Sequence, residues 1–406
     1  MAVLAPADEA GVVAAIRDAA AAGRSLELEG GGSRRGFGRP VQAADTLSLA
    51  GLNGINLYAP GELVVRAWAG TPVAELEATL AEAGQMLPFE PPDYRALLGN
   101  GDAVPTVGGL VAANLSGPAR IARGALRDSL IGVRLVAGDG ELVRSGGRVM
   151  KNVTGLDLVK LTAGAHGTLG AVTEATFKVL PVAERQLTLA IPDLAPAAAG
   201  EAMTAALASP LEVSAAAYLP AGLTARSGVA ELRALGRDVV LLRLEHFTDF
   251  LAGRAERLAE HLIGHGAPVQ LDDAATRRVW AEIRDVAWLV EPGDRAVWKI
   301  STAPAAGTAL FETLADELGG EGFLDWSGGL VWLAVDTGDD AGATAIRRAV
   351  GALGGHATLV RAPASLRAAV DVFEPQTKPL MTLTQRVKES FDPKRILNPG
   401  RMYAGV

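Results

Sequence analysis

Three glycine-rich segments, each beside a predicted strand, constrain the fold of this chain more than any other feature. They lie at residues 30–33, 105–109 and 164–170. Glycine lets a main chain approach a ligand closely with its N–H groups directed toward it. Main-chain N–H groups in a concavity bind phosphate well. Three such segments in one domain therefore predict a long, phosphate-bearing nucleotide cofactor, and a flavin is the first hypothesis.

Each segment also has a simpler interpretation as a turn. The first lacks the G-x-G-x-x-G spacing at a helix start, which argues against a Rossmann NAD site. The second is followed by small residues at 112–114, which predict a short helix lying flat against a cofactor. The third leads into a predicted strand, so it also fits a crossover that requires positive φ. Turns alone explain three such segments less well than a shared ligand does.

Composition and charge exclude several functional classes. The 406 residues allow two or three domains. The net charge is −8, and 38 basic and 46 acidic residues are interspersed, so nucleic acid is not a predicted partner. No apolar stretch approaches the ~20 residues of a membrane span, and no signal peptide is visible. The predicted compartment is the cytoplasm, with peripheral contact at the inner membrane through partners as an alternative.

The chain has no cysteine and only five histidines. It therefore has no disulfide, no cysteine-ligated iron–sulfur cluster, no cysteine nucleophile and no cysteine-linked flavin. His261 and His265 have the i, i+4 spacing of a helical zinc pair, but no acidic residue lies between them. We interpret them as solvated residues near a helix C-terminus, and no metal site is predicted.

Periodicity indicates alternating helices and strands in the first part of the chain. A helix is predicted at 8–22, strands at 25–29 and 62–69, and a helix from Thr71 as N-cap and Pro72 as first residue to Gly84. A hairpin is predicted at 130–144 and a strand at 171–179. Prolines and an alanine-rich stretch then mark a domain boundary near 183.

The middle of the chain shows the same order of elements twice. The first half reads strand 186–191, helix 196–208, strands 212–219 and 238–247, helix 249–264. The second half reads strand 296–303, helix 305–318, strands 322–326 and 330–335, helix 339–353, strand 357–361. Both follow the β-α-β-β-α order of ferredoxin-like folds. The predicted domains are 1–183, 184–380 with two such halves, and a terminal helix and tail at 381–406 that pack on the first domain.

Several motifs together resemble one protein family. They are Gly30-Gly31-Gly32-Ser33, Thr106-Val107-Gly108-Gly109 with Asn114, and segments 128–140, 150–158 and 167–174. This set resembles the FAD-binding domain of the vanillyl-alcohol oxidase and p-cresol methylhydroxylase (PCMH) type. Segment 84–92 and the tail at 392–403 are similar to those of the FAD-binding subunits of bacterial glycolate oxidases, also called glycolate dehydrogenases. The resemblance covers residues 25–180 and the tail.

The resemblance implies an α+β fold, with a two-lobed PCMH-type FAD-binding domain and a ferredoxin-like cap domain over the flavin ring. It implies that FAD is the cofactor. Histidine or cysteine attaches FAD covalently in some relatives, but Ser33, Arg34 and Arg35 occupy that region, so non-covalent FAD is expected. The expected FAD contacts are Gly30, Gly31, Gly32, Ser33, Thr106, Val107, Gly108, Gly109, Asn114, Gly117, Gly164, Gly167, Thr168, Gly170, Val172 and Asn398.

The resemblance also implies a function and partners. The expected reaction is oxidation of glycolate, a small 2-hydroxy acid, to glyoxylate, with hydride transfer to the flavin. The expected partners are a larger FAD-linked oxidase subunit and an iron–sulfur subunit that receive the electrons. The larger relatives carry a histidine- and aspartate-rich metal motif that this chain lacks, so its independent catalysis is in question.

A hydroxy-acid oxidase requires a cation for the carboxylate and a base for the hydroxyl proton. His356 as base and Arg361 as carboxylate clamp are the candidates. The alternative is that His356 is a structural histidine after a helix end. Trp326 and Trp332 flank a serine–glycine turn and could cover a ring, although packing in a hairpin core explains them too.

Two other functions are also compatible with the sequence. The chain could be a self-sufficient FAD-dependent oxidase or dehydrogenase of another hydroxy acid or polyol. It could also be a scaffold whose flavin is vestigial or only relays electrons. A cell-wall precursor reductase shares this type of flavin domain, but the length and tail of this chain fit it less well.

Overall fold

The computed structural model describes residues 2–148 and 156–406. Most of the 150–158 motif lies outside the described residues. The chain forms two compact units. The first comprises Met1–Ser116, Gly124–Val182 and Pro375–Val406, and the second comprises Gly117–Arg123 and Ala183–Glu374. The C-terminal tail thus returns to the first unit, as predicted.

The described residues contain sixteen α-helices, which we number in chain order: α1 Glu9–Ala22, α2 Val73–Glu82, α3 Arg95–Leu98, α4 Val107–Ala113, α5 Arg120–Arg123, α6 Leu126–Ser129, α7 Leu158–Thr162, α8 Pro196–Ala208, α9 Ala221–Thr224, α10 Ala230–Leu235, α11 Thr248–His261, α12 Asp273–Arg284, α13 Pro304–Leu318, α14 Ala343–Leu353, α15 Ala364–Ala369 and α16 Lys378–Phe391. Among the described residues, no helix is both long enough and apolar enough to cross a membrane.

The strands in the same residues are β1 Val3–Leu4, β2 Leu26–Glu29, β3 Asp45–Ser48, β4 Ile55–Ala59, β5 Val64–Trp68, β6 Gln85–Met86, β7 Leu130–Val136, β8 Leu142–Gly146, β9 Ala171–Lys178, β10 Leu180–Pro181, β11 Arg185–Pro192, β12 Ala215–Leu219, β13 Val239–His246, β14 Val269–Leu271, β15 Ala296–Thr302, β16 Glu321–Asp325, β17 Leu330–Val335 and β18 Gly355–Arg361.

The first unit has two lobes, each with its own sheet and core. One lobe has the parallel sheet β1-β3-β2, and its core includes Ile16 of α1, Leu26 and Leu397 of the tail. The other has the five-stranded antiparallel sheet β4-β5-β9-β7-β8, and its core includes Leu76 of α2 and Phe177. The two-lobed architecture predicted for the first domain is confirmed.

The second unit is built on one eight-stranded sheet, in the order β14-β11-β13-β12-β16-β17-β15-β18. The predicted halves join where β12 pairs with β16, at Tyr218 and Leu324. Helix α13 packs on one face of the sheet, where Phe311 contacts Tyr218 edge to face. Helix α12 packs on the other face, where the Trp280 indole N–H donates to the Thr188 hydroxyl at 2.8 Å. The strands of the two predicted halves thus lie side by side in a single sheet.

Two local predictions are corrected by tertiary contacts. Thr71 was expected to cap α2, but Pro72 holds that position and the helix begins at Val73. The Thr71 side chain is fully buried, and its hydroxyl bonds with both the N–H and the carbonyl of Gly54. Strand β14 and helix α12 were not predicted between the two halves. Helix α12 is amphipathic, with five buried residues on one side of an arginine-rich stretch.

A buried ion pair anchors the C-terminal tail. The ammonium group of Lys388 on α16 lies 2.7 Å from an oxygen of Asp392, and both side chains are almost fully buried. The same ammonium donates to the carbonyls of Thr168 and Leu397. The Asp392 carboxylate also accepts from the N–H groups of Ile396 and Leu397. The pair therefore joins α16, the third glycine-rich segment and the tail in one network.

Candidate functional site

The glycine-rich segments surround a cleft in the first unit. The cleft consists of two adjoining cavities with empty volumes of about 600 and 440 Å³, a size typical of small-molecule and cofactor sites. Both are lined by Gly30, Thr106, Gly109, His166 and Asn398. Eleven of the sixteen predicted cofactor residues line one cavity or the other: Gly30, Gly31, Gly32, Ser33, Thr106, Gly108, Gly109, Gly167, Gly170, Val172 and Asn398.

The glycines of the cleft serve two different physical purposes. A Cβ on Gly30 or Gly31 would lie under 3.0 Å from Thr106 or the Val104 carbonyl, so these two permit close packing of the first segment on the second. Gly109 is different because a Cβ there would meet only Arg34 Nη1 at 3.3 Å and Thr106 Oγ1 at 3.4 Å. The absence of a side chain at Gly109 therefore keeps the cleft open for a ligand.

Helix α4 begins at the cleft. Thr106 is its N-cap, and the Thr106 hydroxyl accepts from the Gly109 N–H at 3.4 Å. Gly108 allows close packing on Ala69, because a Cβ there would lie 2.8 Å from the Ala69 Cβ. The short helix predicted beside the cofactor is present. Its first three N–H groups are already engaged within the protein: that of Val107 by the Thr71 carbonyl, that of Gly108 by the Ala69 carbonyl and that of Gly109 by the Thr106 hydroxyl.

Arg34 supplies positive charge to the same wall. Its Nη2 donates to the Pro92 carbonyl at 3.2 Å, while its Nε and Nη1 are buried without a hydrogen-bond partner. Burial lowers the pKa of the Arg34 guanidinium to about 10, and the charges of Tyr94 and Asp93 oppose that change. Buried donors without partners are unfavourable unless a ligand satisfies them. The residues present therefore fit a cofactor that carries phosphate, such as FAD.

The C-terminal tail completes the cleft. Asn398 Oδ1 accepts from the Leu28 N–H at 2.8 Å, and its Nδ2 donates to the His166 carbonyl at 2.7 Å. Its side chain thus joins β2, which leads into the first segment, to the third segment. Arg401 lies nearby and donates to Glu27 Oε1 at 2.6 Å. Asn398 thus holds β2 and the third segment together, so the C-terminal tail belongs to the same site although it is distant from the glycine segments in sequence.

Five predicted cofactor residues lie outside this cleft. Val107 is in the core, and Asn114 caps the end of α4 and accepts from the Arg127 N–H. Gly117 belongs to the second unit. Gly164 and Thr168 line a third cavity of about 930 Å³ in the first unit. For these five, cofactor contact stays a prediction without support from the cavity lining.

Sequence reasoning missed Arg34, His166 and Arg401 as lining residues of the cleft. Arg34 directly follows the first glycine segment, and His166 lies inside the third. Their positions beside the glycine motifs could have indicated that these two residues line the cleft. Arg401 lay within the recognised tail motif, but its nearness to the first segment depends on tertiary structure.

His166 predicts acid sensitivity of the apoprotein. Burial, then the charges of Arg401 and Arg34, lowers the pKa of His166 to about 3. The unfolded chain takes up this proton near pH 6.5 and the folded chain only near pH 3. The free energy of unfolding is therefore unaffected by His166 above about pH 6.5 and falls as the pH decreases toward 3, because only the unfolded chain binds the proton in that range. Thermal unfolding midpoints of the apoprotein from pH 7.5 to 4.5 should show this decrease.

His166→Asn should give a shallower pH dependence, since asparagine tolerates the positive φ of 51° at this position. His261→Asn is the matched control, because His261 is an exposed histidine on α11. Equal slopes for wild type and His166→Asn would refute the assignment.

The structure places the catalytic candidates on β18. His356 pairs in register with Ser301 of β15. Partial burial of its ring, then the charges of Lys299 and Arg120, lowers the pKa of His356, which favours the neutral imidazole that a base requires. Arg361 donates to the carbonyls of Val290, Pro292 and Arg295. To bind a carboxylate, the Arg361 guanidinium would have to give up these three hydrogen bonds.

Metal chemistry receives no support from the described part of the chain. Within residues 2–148 and 156–406, no group of three or more histidine, aspartate or glutamate side chains is arranged to hold a metal ion. His261 ends helix α11, and His265 ends the short 3-10 turn that follows.

Comparisons with known proteins agree with this geometry. Residues 1–146 match the FAD binding domain family. Glycolate oxidase subunit GlcE of Escherichia coli (strain K12) is 34% identical over 382 residues, which cover 93% of both chains. A D-lactate dehydrogenase of Anaerostipes hadrus is 33% identical over 146 residues, 36% of this chain and 29% of that protein. The structure of 4-ethylphenol oxidase from Gulosibacter chungangensis aligns with a TM-score of 0.74 at 16% identity, over 99% of this chain and 89% of that one.

The cleft and the matching FAD binding domain define the class: the chain is an FAD-dependent oxidoreductase of the PCMH-type fold. Within that class, the similarity over nearly the whole length identifies the group more closely. The chain belongs to the family of glycolate oxidase subunit GlcE.

Proposed function

We propose that this chain is the FAD-binding subunit of a multi-subunit glycolate oxidase that oxidises glycolate to glyoxylate. The observation that carries the proposal is the 34% identity to the GlcE subunit over 93% of each chain. The similarity to a D-lactate dehydrogenase supports a 2-hydroxy acid, and thus a CH–OH group, as the site of oxidation. We further propose non-covalent FAD, a larger FAD-linked subunit and an iron–sulfur subunit as partners, and a cytoplasmic complex that contacts the inner membrane only through partners.

The residues of the first unit have a binding role in this proposal. The unpartnered donors of Arg34 would bind the phosphates, with the open space beside Gly109 left for the cofactor. FAD, when bound, supplies the two-electron acceptor. The two hydrogen bonds of Asn398, to Leu28 and His166, would keep β2 and the third segment at the spacing that the cofactor needs.

The substrate chemistry requires two further groups. Oxidation of the CH–OH group removes a hydride from carbon and a proton from the hydroxyl oxygen, so a neutral base must accept that proton. His356 is the proposed base, because its lowered pKa keeps the imidazole neutral at physiological pH. A cation must hold the carboxylate so that the hydroxyl is presented in one orientation.

An anaerobic visible spectrum of the purified, desalted chain tests the proposal. We expect flavin bands that survive desalting and that glycolate does not bleach until the larger FAD-linked subunit is added. Bleaching by glycolate without a partner would instead show a self-sufficient dehydrogenase. A correctly folded chain that retains no FAD would refute the proposal. Denaturation in acid, with release of all flavin, would establish that the cofactor is not covalently attached.

A further inference from the structure

The third cavity of the first unit is lined by residues of helices α7 and α16. This cavity, the α7–α16 groove, has an empty volume of about 930 Å³, and its walls are mainly apolar. They include Leu161 of α7 and both Leu383 and Val387 of α16. All of the lining residues belong to the first unit. A groove of this size with apolar walls is typical of a recognition site, because ordinary packing leaves few voids larger than a water molecule.

Helix α16 exposes an apolar stripe at this groove. Leu380, Leu383 and Val387 have the i, i+3, i+7 spacing that places side chains on one face of a helix. Leu380 is 47% exposed and Leu383 is 57% exposed, and Leu161 of α7 is 39% exposed. Of the fourteen residues of α16, only Lys388 is buried. Single exposed leucines are ordinary, but an apolar stripe beside a cavity marks an interaction surface.

The groove is held in shape by the buried ion pair of the tail. Lys388 lines the groove, and its ammonium group bonds to Asp392 and to the Thr168 carbonyl. These contacts fix α16 to the third glycine-rich segment. A surface that is already formed loses little conformational entropy when a partner binds to it.

The groove and the cofactor cleft share the third glycine-rich segment as a wall. Gly164, Ala165 and Thr168 line the groove, whereas His166 and Gly167 line the cleft. A partner in the groove would therefore contact the same segment that lines the cofactor site. This arrangement favours a partner that exchanges electrons with the bound flavin.

Two cations of the groove indicate the charge of the partner. Arg127 Nη2 donates to the Lys160 carbonyl at 3.0 Å, and the Lys160 ammonium donates to the Arg127 carbonyl. Neither cation forms an ion pair with a residue in the described part of the chain. The carboxylates nearest in sequence, Asp128 and Asp157, accept from the N–H groups of Ala125 and Lys160. The groove thus complements apolar side chains accompanied by a carboxylate.

We propose that the α7–α16 groove is the docking site of the larger FAD-linked subunit. That subunit places apolar side chains against Leu161 and Leu383 and a carboxylate beside Arg127. The proposal rests on the proposed function, which supplies this partner and its need to exchange electrons with the flavin. A protein surface also explains the exposed stripe better than a small ligand does, because Leu380 does not line the cavity and a ligand inside it would leave Leu380 exposed.

Titration calorimetry of the FAD-loaded chain with the purified larger FAD-linked subunit tests the docking site. We expect Leu161→Gln and Leu383→Gln each to weaken the association by at least about tenfold, a loss typical of an apolar anchor in an interface. Leu353→Gln is the matched control and should bind normally, because Leu353 is a leucine of the second unit with 48% exposure. An unchanged flavin spectrum and thermal unfolding midpoint establish that each variant is folded and loaded.

The salt dependence of the association tests the predicted charge. Arg127→Gln should slow association and make the affinity less dependent on salt concentration, because an exposed interface charge acts mainly on the association rate. Arg257→Gln, at an exposed arginine of α11, should leave both quantities unchanged. Equal salt dependence in the wild type and Arg127→Gln would overturn the contact with a carboxylate of the partner.

Three results would overturn the docking site. The first is unchanged affinity for the larger subunit in both leucine variants, and the second is no association of that subunit with the wild-type chain. The third comes from sedimentation of the chain alone. A dimer that Leu383→Gln dissociates would assign the groove to a second copy of this chain.

The docking site and the proposed function fail separately in a reconstituted complex. Assembly that depends on Leu161 and Leu383, without flavin reduction by glycolate, would support the docking site and refute the proposed oxidation. Flavin reduction by glycolate, with normal assembly in both leucine variants, would support the oxidation and refute the docking site.

Discussion

Gly109→Leu is expected to abolish FAD retention while leaving the fold intact. A leucine side chain would enter the cleft, because the space beside Gly109 is bounded only by Arg34 Nη1 and Thr106 Oγ1. Overfilling a ligand site costs about 3 kcal/mol, or roughly a hundredfold in affinity. The flavin absorbance of the desalted protein, with a titration of FAD into the apoprotein, measures the loss. Gly109→Ala should have a smaller effect, since its Cβ would make only slightly close contacts.

Gly253→Leu is the control for this prediction. Gly253 lies within helix α11, where an added Cβ would meet no atom within 4 Å. It should retain FAD like the wild type. Normal FAD affinity in Gly109→Leu would show that the cofactor does not occupy this part of the cleft. In a reconstituted complex, Gly109→Leu also separates a catalytic flavin from a scaffold role, because a scaffold would support full activity without its FAD.

Lys388→Met is expected to lower the free energy of unfolding of the first unit by about 3–5 kcal/mol, the usual cost of removing one partner of a buried ion pair. Asp392 would remain as a buried charge, and the carbonyls of Thr168 and Leu397 would lose their donor. Chemical denaturation followed by circular dichroism measures the change. Flavin release followed in parallel should occur earlier, because Thr168 and Leu397 flank residues of the cleft.

Glu389→Gln is the matched control on the same helix. Glu389 pairs with Arg395 at 2.6 Å, but both side chains are about half exposed. Exposed pairs contribute at most about 1 kcal/mol. If Lys388→Met destabilises the protein no more than Glu389→Gln does, the tail is not anchored by the buried pair.

Much of the secondary structure could be predicted from local pattern. Helix α8 and strand β17 have the predicted limits, because each is bounded by clear signals: Pro196 at the start of the helix and turn glycines before the strand. The observed limits of an element differ from the predicted ones where a side chain bonds to a residue distant in sequence. Thr71 bonds to Gly54 rather than capping α2, which local sequence does not reveal.

The sequence by itself determined the type of domain, the class of cofactor and the doubled order of elements in the second unit. The first two follow from motifs that resemble a known family, and the order of elements follows from apolar periodicity, which is a local property of a chain. The lack of cysteine likewise excludes thiol chemistry, because the presence of a thiol depends on composition and not on folding.

Only the tertiary structure decided which glycines face a ligand and which permit chain packing. It also decided that Arg34 lies beside the first cleft and that Arg120 and Lys299 both lie close to the Trp326 ring. Arg120 and Lys299 are far apart in sequence, and each looks like an ordinary charged residue in its own segment. Packing of segment 117–123 in the second unit brings them together, because proximity and burial, which set the charge balance of a site, are properties of the folded chain and not of its local sequence.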